Sequence, residues 1–323
     1  MSRVLVIKPI LVIKPILVIK HGALGDLVQA FGPFAAIRAH HPDAEITLLT
    51  TRPFAGLMAK APWFDRVETD DRPPWWNLPG WLALARRLAG AGYGRVYDLQ
   101  TSDRSSRLLG LMRLLGARPE WSGIAPGASH PHANPARDAM HTADRQREQL
   151  AMAGITKFPP PDLSWLAGDV SRFGLPTRHA LLVPGAAPHR PAKRWPAEGY
   201  GALAAHLAGQ GIAPVVIGTG AEAPLAAAIR TLCPETIDLT GRTAIADIAA
   251  LAAGAVLAVG NDTGPMHLVA AMGTPSLVLF SADSDPALCA PRGRAGAGPV
   301  RVLRVADLRS LAPETVLSSL PVP

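Results

Sequence analysis

The residues best suited to chemistry lie in a short turn between a buried strand and a helix. Apolar residues run from Ala255 to Val259 without polar alternation, which is typical of a parallel strand, and the turn that follows reaches Gly264. A helix is predicted from Pro265, since proline suits the first helical position, and Gly273 supplies its stop. The free N–H groups and partial positive charge of that helix start would suit an anion such as a phosphate.

Three polar side chains crowd this turn, namely Asp262, Thr263 and His267. Each has a simpler interpretation. Threonine is a common helix cap, aspartate is a common turn residue, and a histidine can be half-buried in a first helical turn. Their combination with Gly264 on a turn of this shape favours a ligand site.

A second glycine-rich turn runs from His21 to Asp26, directly after a predicted strand that ends at Lys20. Its glycines, Gly22 and Gly25, let the backbone pass close to a ligand. The carboxylate of Asp26, in the first turn of a helix, could accept a proton from a hydroxyl group. The alternative is that Asp26 only complements the helix dipole.

A third turn starts at Pro184 and Gly185 after another predicted strand. It carries Lys193 and Arg194 between prolines, where the two cations could neutralise a diphosphate at the carboxyl end of the strand. The alternative is a pair of solvated loop charges.

The residues from Gly218 to Ala223 form a G-x-G-x-x-A pattern that includes Glu222, and Asp238 ends the next predicted strand. This spacing also fits a dinucleotide fingerprint with a ribose-binding acid, so an NAD-dependent oxidoreductase is a second candidate. That function would leave the other three turns without a role.

Alternating strands and helices must position these turns. In the first half, the predicted strands lie at 16–20, 46–50, around Val67 and at 95–99, and the predicted helices lie at 27–42, 82–91, 105–115 and 141–153. In the second half, the predicted strands lie at 181–183, 214–217, 237–239, 255–259 and 276–280. The two halves are joined by a proline-rich linker at 154–177. The pattern predicts an α/β protein with two doubly wound, Rossmann-like sheets and a ligand cleft between their carboxyl ends.

Composition supports two globular domains, since the 323 residues are 48% hydrophobic and 18% charged. The net charge of +7 and the pI near 9.9 predict anionic partners. Nucleic acid is not predicted, because the sequence has no CxxC pairs, no RNP-like aromatic run and no block of five Lys or Arg residues. No apolar run reaches the roughly 18 residues that a membrane span needs.

Neither a metal nor a bound cofactor is predicted. His130 and His132 have no ligand partners at a useful spacing, and HExxH and Walker motifs are absent from the sequence. Cys233 and Cys289 are far apart, which favours free thiols in a reducing compartment over a disulfide.

The sequence Leu-Val-Ile-Lys occurs three times, at 5–8, 11–14 and 17–20. The last copy is predicted to be the first strand because it leads directly into the turn at His21. Pro9 and Pro15 prevent one continuous central strand. Residues 1–15 are therefore predicted to be a repeat-expanded tail.

Three motifs in this order resemble glycosyltransferase family 9, the heptosyltransferases of lipopolysaccharide core assembly. They are Gly-x-x-Gly-Asp at 22–26, Pro-Gly-Ala with Ala-Lys-Arg-Trp-Pro at 184–186 and 192–196, and Asn-Asp-Thr-Gly-Pro-Met-His at 261–267. The resemblance covers nearly the whole chain from Ile16. It implies a GT-B fold and a metal-independent, inverting transfer from ADP-heptose to a Kdo or heptose residue of a lipid A-linked core.

The same resemblance implies roles for individual residues. Asp26 matches the general base, Lys193 matches the donor-phosphate lysine, and Glu222 falls near the donor ribose. The other donor-site residues that it implies are Gly185, Gly218, Asp262, Thr263, Gly264 and His267. Gly25 adjoins the base on the acceptor side. The chain departs from some relatives at Ala186 and Ala187, where those relatives carry hydroxyl side chains.

The acceptor side has two groups of candidates. The first is a set of arginines that could meet acidic sugars and phosphates, Arg86, Arg87, Arg104 and Arg107. The second is a set of tryptophans that could touch the membrane interface, Trp75, Trp76 and Trp81. The alternatives are solvated helix faces for the arginines and core packing for the tryptophans.

Together these features predict an acceptor-binding domain at 1–160 and a nucleotide-sugar-binding domain at 161–323. The predicted protein is a cytoplasmic enzyme at the inner face of a Gram-negative inner membrane, which it does not span. Its predicted partners are a nucleotide sugar, a lipid A-linked core and an anionic membrane surface. Besides the oxidoreductase, the alternatives are a family 9 transferase with another sugar donor and a binding protein with an inactive site.

Overall fold

A computed structural model describes residues 14–166, 168–186 and 189–321. The predicted tail at 1–15 lies almost wholly outside the described residues. Within the part of the chain that is described, none of the helices has the length and apolar character needed to cross a bilayer.

The first sheet has six parallel strands. They are β1 (Ile16–Ile19), β2 (Ile46–Thr50), β3 (Arg66–Thr69), β4 (Arg95–Asp98), β5 (Glu120–Gly123) and β6 (His130–Pro131). Their order is β3-β2-β1-β4-β5-β6, so β1 pairs with β2 on one side and with β4 on the other. The direction of winding reverses between β1 and β4, where doubly wound sheets bind ligands.

The second sheet repeats this topology. Its strands are β7 (His179–Val183), β8 (Ala213–Val216), β9 (Ile237–Asp238), β10 (Leu257–Asn261), β11 (Ser276–Phe280) and β12 (Val300–Arg304). The order is β12-β11-β10-β7-β8-β9, with β7 paired to β8 and β10. The winding reverses between β7 and β10, so the turns after these two strands share one edge of the sheet.

Twelve α-helices accompany the strands in the described residues. The first six are α1 (Leu24–Gln29), α2 (Phe31–His40), α3 (Arg52–Met58), α4 (Leu78–Gly90), α5 (Asp103–Leu114) and α6 (Thr142–Met152). The others are α7 (Ala197–Gly209), α8 (Ala223–Leu232), α9 (Ile245–Gly254), α10 (Gly264–Met272), α11 (Pro286–Cys289) and α12 (Pro313–Ser318).

The α/β fold class with two Rossmann-like sheets is confirmed, but several elements differ from the predictions. The predicted helix 27–42 is interrupted at Ala30 and forms α1 and α2. Strands β5, β6 and β12 were not predicted. Of these, β12 is an edge strand whose residues are all partly or well exposed, so it lacks the apolar run that marked the central strands. The predicted linker contains short 3-10 turns at Ser164–Leu166 and Ser171–Phe173.

The chain forms two compact units that are not continuous in sequence. The first unit contains the described residues up to His21, Ile37–His132 and Gln149–Ile155. The second contains Gly22–Ala36, Ala133–Glu148 and the described residues from Thr156 onward. The division expected at 160/161 differs from these units, because two early segments group with the second sheet. The glycine-rich turn at 22–26 is therefore part of the second unit.

A buried amide ties the central strands of the second unit to its turns. Asn261, at the end of β10, donates from Nδ2 to the carbonyl oxygen of Pro184 at 2.8 Å. Its Oδ1 accepts from the backbone N–H of Trp195 at 3.3 Å and lies 3.1 Å from the hydroxyl of Tyr200. That hydroxyl is also 3.1 Å from the carbonyl oxygen of Val183. Asn261 therefore fixes the loop after β7 against the end of β10.

We expect Asn261→Leu to lower the free energy of unfolding by about 2–4 kcal/mol, because it leaves several buried polar groups unpaired. Urea denaturation followed by circular dichroism measures the change. Tyr200→Phe, which removes only the hydroxyl, should lower it by about 1 kcal/mol. Equal stability of Asn261→Leu and the wild type would contradict the proposed role of the amide.

Candidate active site

The turn after β10 has the predicted form. Thr263 is the N-cap residue of α10 in an extended conformation (φ −153°, ψ 159°), and the helix begins at Gly264. Gly273 ends the helix in the left-handed region at φ 94°, as the sequence predicted. The side chain of Thr263 makes no capping hydrogen bond, so the simple interpretation of this residue as a side-chain cap is wrong.

The carboxylate of Asp262 organises two neighbouring side chains. Its Oδ2 accepts a hydrogen bond from Nζ of Lys193 at 2.6 Å and another from Oγ of Ser284 at 2.6 Å. The side chains of Lys193 and Asp262 are both largely buried. An ion pair that is partly withdrawn from water is held more firmly than an exposed pair. The ammonium group is thus fixed at the edge of the sheet where β7 and β10 end.

Sequence reasoning missed Ser284. It lies in the loop after β11, which pairs directly with β10. Since polar residues that follow adjacent parallel strands gather at one edge of the sheet, the run Ser281 to Ser284 carried a usable signal.

Helices α1 and α10 approach closely because glycines face the contact. A Cβ atom on Gly25 would lie 2.8 Å from Cδ2 of His267, and one on Gly264 would lie 2.9 Å from Cβ of Leu24. Larger residues would force the helices apart at both positions. The glycine-rich turn near the start of the chain and the turn after β10 are therefore in direct contact within the second unit.

Asp26 lies in the first turn of α1, beside this contact. Its Oδ2 accepts a hydrogen bond from the backbone N–H of Ala23 at 3.1 Å, so the carboxylate does interact with the helix start. Its negative charge also favours the protonated forms of His267 and Arg145. Asp26 is therefore electrostatically coupled to the α10 turn while it remains partly exposed.

His267 is buried in an environment that disfavours its charged form. Burial lowers the pKa of His267 to about 4, although the nearby carboxylates of Asp262 and Asp26 oppose the shift. Its Nδ1 is buried without a hydrogen-bond partner among the described residues. At neutral pH the imidazole is uncharged, so it can offer a hydrogen bond but not a positive charge.

Three further predicted donor-site residues come together around one carboxylate. Cβ atoms on Gly185 and Gly218 would lie 3.2 and 3.0 Å from side-chain atoms of Glu222. Oε2 of Glu222 accepts hydrogen bonds from the N–H and the hydroxyl of Thr219 at 2.8 and 2.6 Å. The turns after β7 and β8 thus hold Glu222 between two glycines.

The glycine pattern at 218–223 does not have the location of a dinucleotide fingerprint. That fingerprint follows the first strand of a Rossmann sheet, at the point where the winding reverses. Here the pattern follows β8, which lies between β7 and β9. Asp238, the proposed ribose acid, accepts hydrogen bonds from the N–H and hydroxyl of Thr240.

The predicted arginines have different environments. Arg194 donates from Nη2 to the carbonyl oxygen of Ala186 at 2.7 Å, so it supports the loop after β7. Arg104 belongs to a cluster in the first unit. It pairs with both carboxylate oxygens of Asp70 at 2.9 and 2.7 Å, and its guanidinium lies 4.3 Å from the ring centroid of Trp81. Arg107 is exposed.

Asp70 is the acidic centre of this cluster in the first unit. Burial opposes its ionisation, but the contact with Nε2 of His21 at 3.2 Å and the hydrogen bonds from Arg104 outweigh that effect and hold the pKa of Asp70 well below its usual range. Arg104 thus serves as a counter-ion for a buried carboxylate in the first unit.

The tryptophans divide into two classes. Trp81 is buried in the core of the first unit, whereas Trp75 is 73% exposed and Trp76 is 67% exposed. Core packing is therefore right for Trp81 and wrong for the other two.

The remaining predictions concern cysteine and metal chemistry. Cys233 and Cys289 are both free thiols. Burial raises the pKa of Cys289 to about 11, with a further contribution from Asp262, so this thiol is protonated at neutral pH. Within the described ranges, no three His, Cys, Asp or Glu side chains are grouped to hold a metal ion.

Comparison with known proteins identifies the family. Residues 81–295 match the family model described as glycosyltransferase family 9 (heptosyltransferase). The chain belongs to glycosyltransferase family 9. The predicted resemblance is thus confirmed, the protein is a glycosyltransferase, and the oxidoreductase alternative is wrong.

Relatives of this family 9 chain include two proteins of Haemophilus influenzae. Lipooligosaccharide heptosyltransferase 2 is 36% identical over 99 residues, which cover 29% of this chain and 29% of that protein. Lipopolysaccharide core heptosyltransferase OpsX is 22% identical over 277 residues, which cover 80% of this chain and 76% of that protein.

Solved structures share the fold over almost the whole length. The E. coli ADP-heptose lipopolysaccharide heptosyltransferase II superposes with a TM-score of 0.74 at 22% identity, covering 94% of this chain and 97% of that one. A family 9 glycosyltransferase from Veillonella parvula gives 0.76 at 21% identity, with 95% of each chain covered. These similarities support the predicted GT-B class.

We expect His267 to make the stability of the protein sensitive to acid. Well above pH 6.5 the imidazole is neutral in both the folded and the unfolded state. As the pH falls toward 4, the imidazole is protonated in the unfolded state but stays largely neutral in the folded state. The free energy of unfolding therefore falls by about 3 kcal/mol. Glutamine cannot titrate, so the free energy of unfolding of His267→Gln should fall by about 3 kcal/mol less than that of the wild type over the same pH range. Urea unfolding at several pH values measures the difference, and parallel curves would contradict the shifted pKa.

Proposed function

We propose that this family 9 enzyme transfers heptose from ADP-heptose to a Kdo or heptose residue of a lipid A-linked lipopolysaccharide core, with inversion and without a metal. The carrying observation is the close contact of α1 with α10. It places Asp26 beside a turn whose Asp262 holds the ammonium group of Lys193 and which leads into the start of α10 and its neutral histidine. A carboxylate that can accept a proton, next to an anion site, suits the transfer of a sugar from a nucleoside diphosphate to a hydroxyl group.

The donor diphosphate would lie at the turn after β10. Lys193 would contribute a positive charge, and the N-terminus of α10 would contribute its dipole and free N–H groups. His267 would donate a hydrogen bond as a neutral ring. Glu222, held between Gly185 and Gly218 by Thr219, would bind the ribose hydroxyls through its second oxygen. This arrangement would fix the nucleotide and leave the sugar near Asp26.

The reaction would proceed in one displacement. The acceptor hydroxyl attacks the anomeric carbon as its proton moves to the carboxylate of Asp26. The bond from that carbon to the phosphate oxygen breaks, and the electron pair leaves with ADP. Lys193 and the start of α10 stabilise the growing charge on the diphosphate. Attack opposite the departing group inverts the anomeric centre.

The proposed acceptor is anchored in a membrane, so we place the reaction at the cytoplasmic face of the inner membrane with the protein bound peripherally. The net charge of +7 supports attraction to an anionic surface.

We expect Asp26→Asn to lower kcat by roughly 10²- to 10⁴-fold, because asparagine can still accept the hydrogen bond from Ala23 but cannot take a proton. Donor affinity should stay within a few-fold of wild type. ADP release with core-truncated lipopolysaccharide measures turnover, and calorimetry measures donor binding. The exposed turn residue Asp169 offers a matched control, Asp169→Asn. If Asp26→Asn turned over as fast as the wild type, Asp26 could not be the general base.

The same assay tests the donor and the stereochemistry. ADP-heptose should be turned over in the presence of EDTA, whereas UDP-sugars should not. The anomeric coupling in the product, measured by NMR, should show inversion. Turnover of another nucleotide sugar but not of ADP-heptose would favour the family 9 alternative with a different donor. Absence of transfer from any donor would favour an inactive site.

We expect Lys193→Met to lower kcat/KM by roughly 10²- to 10³-fold, because the diphosphate loses its cation and meets the unpaired carboxylate of Asp262. Lys193→Met combined with Asp262→Asn should recover the stability lost through the unpaired carboxylate but not the activity. Thermal unfolding and steady-state kinetics separate the two effects. Wild-type kcat/KM in Lys193→Met would exclude a role in donor binding.

A further inference from the structure

We propose that the tryptophan loop, residues 73–80, is the surface that docks this protein on an anionic lipid bilayer. This inference rests on the proposed function, in which the acceptor is membrane-anchored, and it identifies the part of the chain that meets the lipid. Trp75, Trp76 and Leu78 are 73%, 67% and 72% exposed. Three neighbouring large apolar side chains in water mark an interaction surface.

The loop is supported from behind by polar contacts to its backbone. Arg104 donates from Nη1 to the carbonyl oxygen of Pro73 at 2.9 Å. The indole N–H of Trp81 donates to the carbonyl oxygen of Pro74 at 3.1 Å, and the backbone N–H of Asn77 donates to the same oxygen at 3.0 Å. The loop backbone is therefore already ordered before docking, which reduces the entropy lost on binding.

The side chains at the tip suit the headgroup region of a bilayer. The rings of Trp75 and Trp76 meet edge to face, with centroids 5.6 Å apart. Indole combines a large apolar surface with one N–H donor, so tryptophan concentrates at membrane interfaces rather than in the hydrocarbon centre. The side chain of Asn77 accepts from the N–H of Gly80 as the cap of α4, which occupies its amide oxygen.

The chain around the loop has a net positive charge. From Asp70 to Glu120 it contains eight arginines against five acidic residues, a balance of +3. Some of these arginines pair with acids, as Arg104 does with Asp70. Arg72, in contrast, is exposed beside the loop. Basic residues near a membrane surface are attracted by anionic lipid headgroups.

Helix α4 begins at Leu78 within the tryptophan loop, and one of these arginines lies on its solvent-facing side. Its buried residues are Trp81, Leu84, Ala85 and Leu88. Because the helix turns about 100° per residue, Arg86 lies on the opposite side together with Pro79. Both are exposed. The apolar side chains of the loop and the exposed arginines beside it together match an anionic bilayer. An apolar protein groove would match the tryptophans but would not need the arginines.

Vesicle binding tests the proposal on the full chain without substrates. Wild-type protein should sediment with vesicles of phosphatidylglycerol and phosphatidylcholine, more weakly with phosphatidylcholine alone, and less in about 0.5 M salt. Trp75→Ala with Trp76→Ala should lower the partition coefficient about tenfold or more, since two large apolar side chains no longer enter the interface. Arg72→Glu with Arg86→Glu should weaken binding to the anionic vesicles only.

Controls separate docking from folding. Leu232, which is 52% exposed in the second unit, provides the matched variant Leu232→Ala, and this should bind as wild type. Trp75→Tyr with Trp76→Tyr should retain much of the affinity, because tyrosine also favours the interface. Thermal unfolding and circular dichroism of each variant should match the wild type, since the substituted side chains are exposed.

Transfer assays distinguish failure of this proposal from failure of the proposed function. With a water-soluble, deacylated acceptor, the double alanine variant should turn over as wild type, and with the same acceptor chemistry embedded in vesicles it should be slower. Vesicle binding that is unaffected by the tryptophan substitutions would overturn the docking surface even if transfer occurs. A dimer that becomes a monomer in the double variant, seen by sedimentation, would assign the loop to self-association instead.

Discussion

The close contact between α1 and α10 is the constraint on which the candidate site depends. Two positions without side chains, Gly25 and Gly264, let the helices approach until His267 touches the glycine-rich turn. This contact brings a segment from the beginning of the chain into the second unit and sets Asp26 beside the turn after β10. The proposed proton acceptor and the proposed anion site then belong to one compact unit.

Two different polar networks support the turn after β10. Asn261 is fully buried and uses its amide to connect three stretches of backbone and side chain, which gives the turn its shape. The next residue, Asp262, is largely but not completely buried and directs its carboxylate to Lys193 and Ser284. Asn261 thus fixes the backbone of the turn, and Asp262 positions the charged group of Lys193. Because the amide is neutral, it can be buried completely without a counter-ion.

Much of the fold was predictable because its signals are local. Strands β1 and β10 are short apolar runs, and α10 carries a glycine at each end with Pro265 at its second position. Edge strand β12 gave no such signal because none of its residues is buried and arginines interrupt its apolar residues. The exposure of Trp75 and Trp76 was also not predictable, since composition favours burial of tryptophan and only tertiary contacts decide which ones are covered.

Parts of the site were predictable from spacing, and parts required three-dimensional structure. Motif spacing singled out Asp26, Lys193 and Asp262, but their functional roles remain predictions. The segment Gly22–Ala36 packs with the second unit through contacts between residues about 240 positions apart. A local sequence pattern does not predict such contacts. Ser284 was missed because its contact with Asp262 becomes visible only when the loop after β11 is seen beside β10, and the contacts of Arg104 with Asp70 and Trp81 likewise depend on tertiary structure.

If Lys193 binds the donor diphosphate as proposed, its pairing with Asp262 would affect selectivity between phosphate esters. An incoming anion must compete with a carboxylate that already holds the ammonium at 2.6 Å. A singly phosphorylated nucleotide gains little from that exchange, whereas a diphosphate can engage the ammonium and the helix start at once. When the proposed nucleoside diphosphate leaves, the carboxylate would recapture the ammonium. The same internal ion pair would therefore reject weakly charged competitors and speed product dissociation.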